Sequence, residues 1–251
     1  MRYKLEFNEA SVTDGQLLLI DKPLNWTSFQ VVNKIRWELK NKFSIKKLKV
    51  GHAGTLDPLA TGLLLVCTGK MTKEIYEIQA LMKEYTGTFT MGATTPSYDL
   101  ETPIDGTFPT DHIDHNTLNE VANKFTGLVD QYPPVFSAIK KGGRRLYEYA
   151  RRGEEIKINS RQIEISAFEL TKIKLPAVDF YVKCSKGTYI RSLANDYGKA
   201  LGSGAHLSSL RRTAIGLHRI EDAYTIEQIT AELEIISVSY THLTLPTNRE
   251  V

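Results

Sequence analysis

The chain has 251 residues, 41% of them hydrophobic and 24% charged, which fits one large or two small globular domains and excludes a disordered polypeptide. With 32 Lys and Arg against 29 Asp and Glu the net charge is only +3, so whole-molecule charge says little about partners. Cys67 and Cys184 stand alone, which excludes a disulfide scaffold or a cysteine-rich zinc module and suits a reducing cytoplasm. The longest apolar run, Leu63 to Cys67, falls far short of the roughly 20 residues that cross a bilayer. Met1-Arg2-Tyr3-Lys4 opens no charged-then-apolar leader, so the expected location is cytoplasmic, with no membrane partner.

In chain order, Gln16 to Ile20 reads as a buried strand running into the turn Asp21-Lys22-Pro23. Thr27 or Ser28 can cap a helix whose apolar positions Val31, Val32, Ile35 and Leu39 recur at helical spacing. After a basic loop comes the block Gly51 to Gly62 and the buried run Leu63 to Cys67; Lys73 to Met82 reads as helix. Tyr85, Gly87, Phe89 and Met91 alternate with threonines, the pattern of a half-buried strand. Residues 96–113 read as polar loop, Asn116 to Phe125 as helix, and 131–155 as a long basic excursion. Period-two stretches over Ile156 to Leu175 and Asp179 to Cys184 predict an antiparallel hairpin. Ile190, Leu193, Ala194, Tyr197 and Leu201 make one helical stripe; Ala214 to Ile220 reads as a last strand and Ile226 to Ile235 as a last helix. Without regular βαβ alternation the expected class is α+β with a mixed, largely antiparallel sheet flanked by helices.

Basic residues gather in three places: Lys34 to Lys49; Lys140, Lys141, Arg144, Arg145, Arg151 and Arg152 with Tyr147 and Tyr149 interleaved; and, more thinly, His206, Arg211, Arg212, His218 and Arg219. Each alone reads as a solvated face; together they make nucleic acid a candidate partner.

The Gly51–Gly62 block is not a Walker A loop, because Gly62 is followed by Leu63 to Thr68 before Gly69-Lys70-Met71. No G-x-S-x-G elbow occurs, and the six histidines never approach H-x-x-x-H spacing, so no metal site is expected. What remains is Asp57 in a glycine-flanked loop, after His52 and before Pro58. Glycines at 51, 54 and 62 permit turn conformations and close approach of a ligand. For a lone Asp-Pro a turn aspartate would be the better reading; the length of the whole block overturns it.

Gly51-His52-Ala53-Gly54-Thr55-Leu56-Asp57-Pro58-Leu59-Ala60-Thr61-Gly62 resembles the catalytic motif of pseudouridine synthases, specifically the TruB family of bacteria that makes pseudouridine-55 in tRNA. Asp21-Lys22-Pro23 with Trp26-Thr27-Ser28, Lys83 to Gly87, Gln131 to Pro134, Lys140 to Arg151, Ser185 to Leu193, and Gly204 to Leu207 with Leu210-Arg211-Arg212 are similar to its other motifs, in the same order. The resemblance implies the pseudouridine synthase fold over residues 1–236 with an RNA-gripping insertion at about 131–155, a cofactor-free isomerase, the T-arm of tRNA as partner, and a monomer. It implies that Asp57 acts at the ribose anomeric carbon, that Arg191 pairs with Asp57, that Tyr85 stacks on the target base, and that Tyr189 packs beneath the site. His52 would support the gap left by the flipped base, Leu210 would line the uracil pocket, and Lys22 would belong to the site wall. Lys140, Lys141, Arg144, Arg145 and Arg151 would grip loop phosphates. The alternatives are a catalytically silent RNA-binding protein on the same scaffold, or a synthase for another RNA. The larger members of the family end in an RNA-binding domain of the PUA type, for which no room is expected after residue 222. Val238 to Asn248 looks like one reading frame of a sequencing adapter, so 237–251 is expected to be a non-native tail.

Overall fold

The computed structural model describes residues 7–241 except 138 and 155, the side chains of 237–241 excluded. The expected non-native tail therefore lies, apart from the backbone up to Thr241, outside the described residues. The chain divides into two compact units: residues 1–79 with 217–251, and 80–216.

The first unit opens with the short helix α1 (Glu9–Asp14), then β1 (Leu17–Lys22), α2 (Ser28–Lys42), β2 (Val50–His52), β3 (Ala60–Thr68) and, after a 3-10 turn over Gly69–Glu74, α3 (Ile75–Ala80). The helix expected over 73–82 is thus a 3-10 turn followed by a shorter α-helix. Strand β3 pairs antiparallel with β1 on one side and β2 on the other, with Leu19 opposite Leu65 and His52 opposite Val66. Its interior run Leu63 to Cys67 is fully buried, as its unbroken apolar sequence requires. Helix α2 starts at a capping box: the Thr27 hydroxyl accepts from the Gln30 N–H, and the Gln30 side chain accepts from the Thr27 N–H. Its stripe Val31, Val32, Ile35 and Leu39 joins Leu18, Ile20, Leu64 and Val66 in one core, which Ile226, Ile229 and Leu233 of the C-terminal helix Ile226–Thr241 complete.

The second unit is built on five strands in the order β12–β4–β11–β10–β7, every neighbouring pair antiparallel. In chain order the elements are β4 (Lys83–Met91), β5 (Ala93–Thr94), β6 (Gly106–Thr107), α4 (His115–Lys124), β7 (Gly127–Gln131), β8 (Lys140–Lys141), β9 (Arg144–Arg145), α5 (Leu146–Ala150), β10 (Arg161–Lys174), β11 (Ala177–Cys184), α6 (Ile190–Ala200) and β12 (Ala205–Ile215). The α+β class matches the sequence reading, and so does the hairpin, except that its first strand begins at Arg161 rather than Ile156. The strand expected over 214–220 divides between the end of β12, which begins at Ala205, and a short strand His218–Arg219 of the first unit; two register shifts break the alternation of β12. Phe89, Phe168, Phe180 and Tyr197 form an aromatic core, Phe89 stacking on Phe180 at 4.1 Å. The Tyr197 hydroxyl donates to the Leu118 carbonyl at 2.8 Å, fixing α6 to α4. Each unit holds one buried thiol: burial, with the Glu74 charge beside it, pushes Cys67 up to about 11, and burial pushes Cys184 to the same value.

Candidate active site

Asp57 is half-buried in the loop between β2 and β3, and both of its chain neighbours are tied down. The Ser28 hydroxyl, at the first position of α2, accepts from the Leu56 N–H at 2.9 Å and donates to the Leu56 carbonyl at 3.1 Å. The Pro58 carbonyl accepts from the Asn25 N–H at 2.9 Å and from the Lys22 ammonium at 3.4 Å. The Ala60 N–H closes onto the carbonyl of Asp57 itself at 3.1 Å. A carboxylate whose backbone is fixed on both sides is pre-organised for one geometry. Gly54 and Gly62 each take φ of +103°, as turn glycines should. Gly51 serves differently: it has no positive φ, and a Cβ there would lie 2.7 Å from Ile75 Cδ1.

Lys22, expected at the site wall, is fully buried beneath this loop. Its ammonium also donates to the carbonyls of Pro23 (2.8 Å) and Trp26 (2.6 Å). A buried ammonium is tolerated only with such partners, so Lys22 joins the turn after β1 to the residue following Asp57. Lys22→Met removes that joint. Single-turnover assays should show the chemical step slowed by about 10²-fold, the scale of a misplaced reacting group, with tRNA affinity nearly unchanged. His52 lies on β2, half-buried, with its backbone paired to Val66.

In the second unit, Arg191 occupies the first turn of α6 and is 4% exposed. Its Nε lies 3.6 Å from Oδ2 of Asp99, Nη1 donates to the Ser97 carbonyl at 3.2 Å, and Nη2 donates to the Phe136 carbonyl at 3.0 Å. Asp99 is itself buried, and its Oδ1 accepts from the Glu101 N–H at 3.0 Å. The resemblance pairs Arg191 with Asp57; within its own unit the structure also sets Arg191 against Asp99, which the sequence reading left among loop acids. The start of α6 lacks a side-chain cap at Tyr189. The Gln131 amide substitutes, accepting from the Tyr189 N–H at 2.8 Å and donating to its carbonyl at 3.0 Å. The Arg161 guanidinium lies 4.6 Å from the centre of the Tyr189 ring. Tyr85 is buried on β4, opposite Arg212 of β12, and Leu210 is half-buried opposite Gly87. Directly opposed antiparallel residues share a face, so Tyr85, Arg212 and Leu210 look the same way.

The basic stretches divide three ways. Lys140, Lys141, Arg144 and Arg145 form a two-stranded hairpin over Gly142 and Gly143, whose positive φ values of 57° and 83° suit a tight hairpin turn. Lys140 faces Arg145 and Lys141 faces Arg144, and all four are exposed. Arg145 and Arg151 flank the Tyr147 ring at 5.9 and 5.3 Å, and Arg151 reaches Glu101 at 3.4 Å. The first stretch is partly structural: Arg36 donates to the Val50 carbonyl at 3.0 Å and Lys34 pairs with Glu38 at 2.7 Å. Lys47 and Lys49, with Lys70 and Lys73, line a separate cavity of about 340 Å³. The third stretch is only partly surface: Arg219 is exposed and Arg211 and His218 are half-buried, but His206 and Arg212 are 3% and 1% exposed, and His206 Nδ1 bonds the Ala93 carbonyl at 3.0 Å.

A family profile described as TruB family pseudouridylate synthase (N terminal domain) matches residues 40–190, and one described as tRNA pseudouridylate synthase B C-terminal domain matches 191–243. A Flavobacterium johnsoniae protein named tRNA pseudouridine synthase B is 61% identical over 222 residues, covering 88% of this chain and 97% of its own. One of the same name from Phocaeicola vulgatus is 52% identical over 221 residues, covering 88% and 94%. The solved Cbf5-Nop10-Gar1 complex contains a chain that superposes with a TM-score of 0.68 at 28% identity, covering 92% of this chain; this chain spans 58% of that one.

Proposed function

The chain belongs to the TruB family of pseudouridylate synthases, and from that premise we propose that it isomerises uridine to pseudouridine at position 55 in the T-loop of tRNA. The observation that carries the reading is Asp57, held between the Ser28-bound Leu56 and the Lys22- and Asn25-bound Pro58. Isomerisation breaks the N1–C1′ bond, whose electron pair leaves with uracil, and later joins C5 to C1′. Asp57 meets the electrophilic C1′, either by forming an O–C1′ bond or by steadying the sugar while a C2′ proton leaves, as carboxylates do in glycoside chemistry. When C5 joins C1′ the carboxylate is released or, on the second route, a proton returns to C2′; the C5 proton departs and N1 takes one up, so the product is an isomer and no redox partner is consumed. Arg191 takes the cationic role at the reacting centre, Tyr85 and Leu210 receive the uracil, Tyr189 supports them, and His52 steadies the stack from which the base is drawn. Extrusion of that base costs a few kcal/mol.

No helix among the described residues is long and apolar enough to cross a membrane, and a bacterial tRNA-modifying monomer of this kind works in the cytoplasm. Incubation with unmodified tRNA followed by nucleotide-resolution mapping tests the reading: pseudouridine at position 55 supports it, modification elsewhere points to another RNA, and binding without conversion leaves a silent RNA-binding protein.

The basic hairpin supplies the grip. Like charges set directly across a strand pair repel, and a phosphate backbone relieves that repulsion. Changing Lys140, Lys141, Arg144 and Arg145 together to Gln should lower the slope of log affinity against log salt by about 3, near the 0.7–0.9 expected for each lost phosphate contact. Filter binding over a KCl series reads this, and the rate of the bound complex should stay unchanged.

A further inference from the structure

Two cations sit where an unbroken apolar face would be expected. On β4, Lys83 shares the phase of Tyr85 and Phe89, so all three side chains point to one face of the sheet. Phe89 lies in the aromatic core, Tyr85 marks its edge, and Lys83, next along, is 6% exposed. Its ammonium donates to the Leu81 carbonyl at 2.6 Å. Arg212, 1% exposed, stands on the neighbouring strand directly opposite Tyr85, and Cys184 stands opposite Lys83 on β11. Burial pushes the Lys83 ammonium down to about 8, and the positive charges of Arg212 and of Lys186 beyond β11 push the same way. Glu84 and Lys183, which pair at 3.5 Å, and Arg211 are on the opposite phase of their strands.

Cationic side chains on the inward face of a strand are costly to bury, and such groups concentrate where a reaction uses their field. The same face carries Tyr85 and Leu210, which the functional reading assigns to the uracil. When N1–C1′ breaks, both bonding electrons stay with the base, which becomes an anion with its charge spread over N1 and the two carbonyl oxygens until C5 closes onto C1′.

We propose that Lys83 and Arg212 form a cationic floor that stabilises the detached uracil anion, an inference that rests on the functional reading above. They act on the base through the field on its side of the sheet, complementing the carboxylate that serves the sugar. Lys83 is protonated below about pH 8 and loses its charge above it, so the floor weakens in alkali.

Tritium release from C5-labelled uridine in tRNA is measured under single-turnover conditions on both sides of pH 8, with tRNA affinity recorded in parallel. Wild type should slow above about pH 8. Lys83→Met should be at least about tenfold slower at neutral pH, equivalent to 1.36 kcal/mol of barrier, with affinity unchanged and no alkaline decline. Lys83→Arg should keep the neutral rate and move the decline to higher pH. A folded Lys83→Met enzyme with the wild-type rate, or a Lys83→Arg enzyme with the wild-type decline, would overturn the proposal. If wild type itself releases no tritium, the functional reading fails; if wild type is active and only the Lys83 variants behave like it, this inference alone fails.

Discussion

Asp57→Asn should bring turnover to background while leaving affinity for unmodified tRNA within a few-fold of wild type. The amide matches the carboxylate in size, and the backbone of Leu56, Asp57 and Pro58 is held by hydrogen bonds to Ser28, Ala60, Asn25 and Lys22 that the exchange does not touch. The variant should therefore fold with its loop backbone in place. What disappears is the anionic oxygen, which an amide cannot replace either as nucleophile or as partner to positive charge at C1′. Single-turnover tritium release and filter binding separate the two effects. A variant that keeps measurable turnover would remove Asp57 from the chemistry.

The second large effect is expected at Arg191. Its guanidinium spreads over Asp99 and the carbonyls of Ser97 and Phe136, joining the 97–99 turn and the 136 segment to the head of α6. Arg191→Met leaves the buried Asp99 carboxylate without that cation, and breaking a buried pair from one side costs about 3–5 kcal/mol. Denaturant unfolding should show this loss, and turnover should vanish with it. Arg191→Lys separates the roles. It keeps a positive charge but cannot span three acceptors as a planar fork does, so it should fold with an intermediate loss of stability, about 1–3 kcal/mol for a carbonyl left unsatisfied, and still lack most activity. Equal rates for Arg191→Lys and wild type would show that the charge alone suffices.

Where local pattern and tertiary packing agree, the sequence reading located elements closely. The α2 stripe with its Thr27 cap, the run at β3, the alternation of β4 and the 161–184 hairpin are all read from neighbours a few positions apart. Strand β12 escaped because Ser208, Ser209, Arg211 and Arg212 interrupt its apolar positions and two bulges reset its phase. Arg212 then looked like surface, although the strand turns it inward. Asp99 could not be told from the other acids of residues 96–113, since only the fold brings Arg191 to it. Lys83 is different: its phase matches Tyr85, Phe89 and Met91, so a charged residue on the inward side of an alternating strand was visible before any coordinates. Lys22 was expected at the site wall from the resemblance alone, and the carbonyls of Pro23, Trp26 and Pro58 that its ammonium meets depend on turns that no periodicity encodes.

The lone cysteines carry a practical consequence. Cys67 belongs to the first unit and Cys184 to the second, both enclosed and both holding their protons far above neutral pH. Only a thiolate reacts with an alkylating reagent, so neither sulfur can be modified until the fold around it opens to solvent. The native chain thus carries two internal clocks, one for each half, and comparing their alkylation rates would time the breathing of each half without adding a probe.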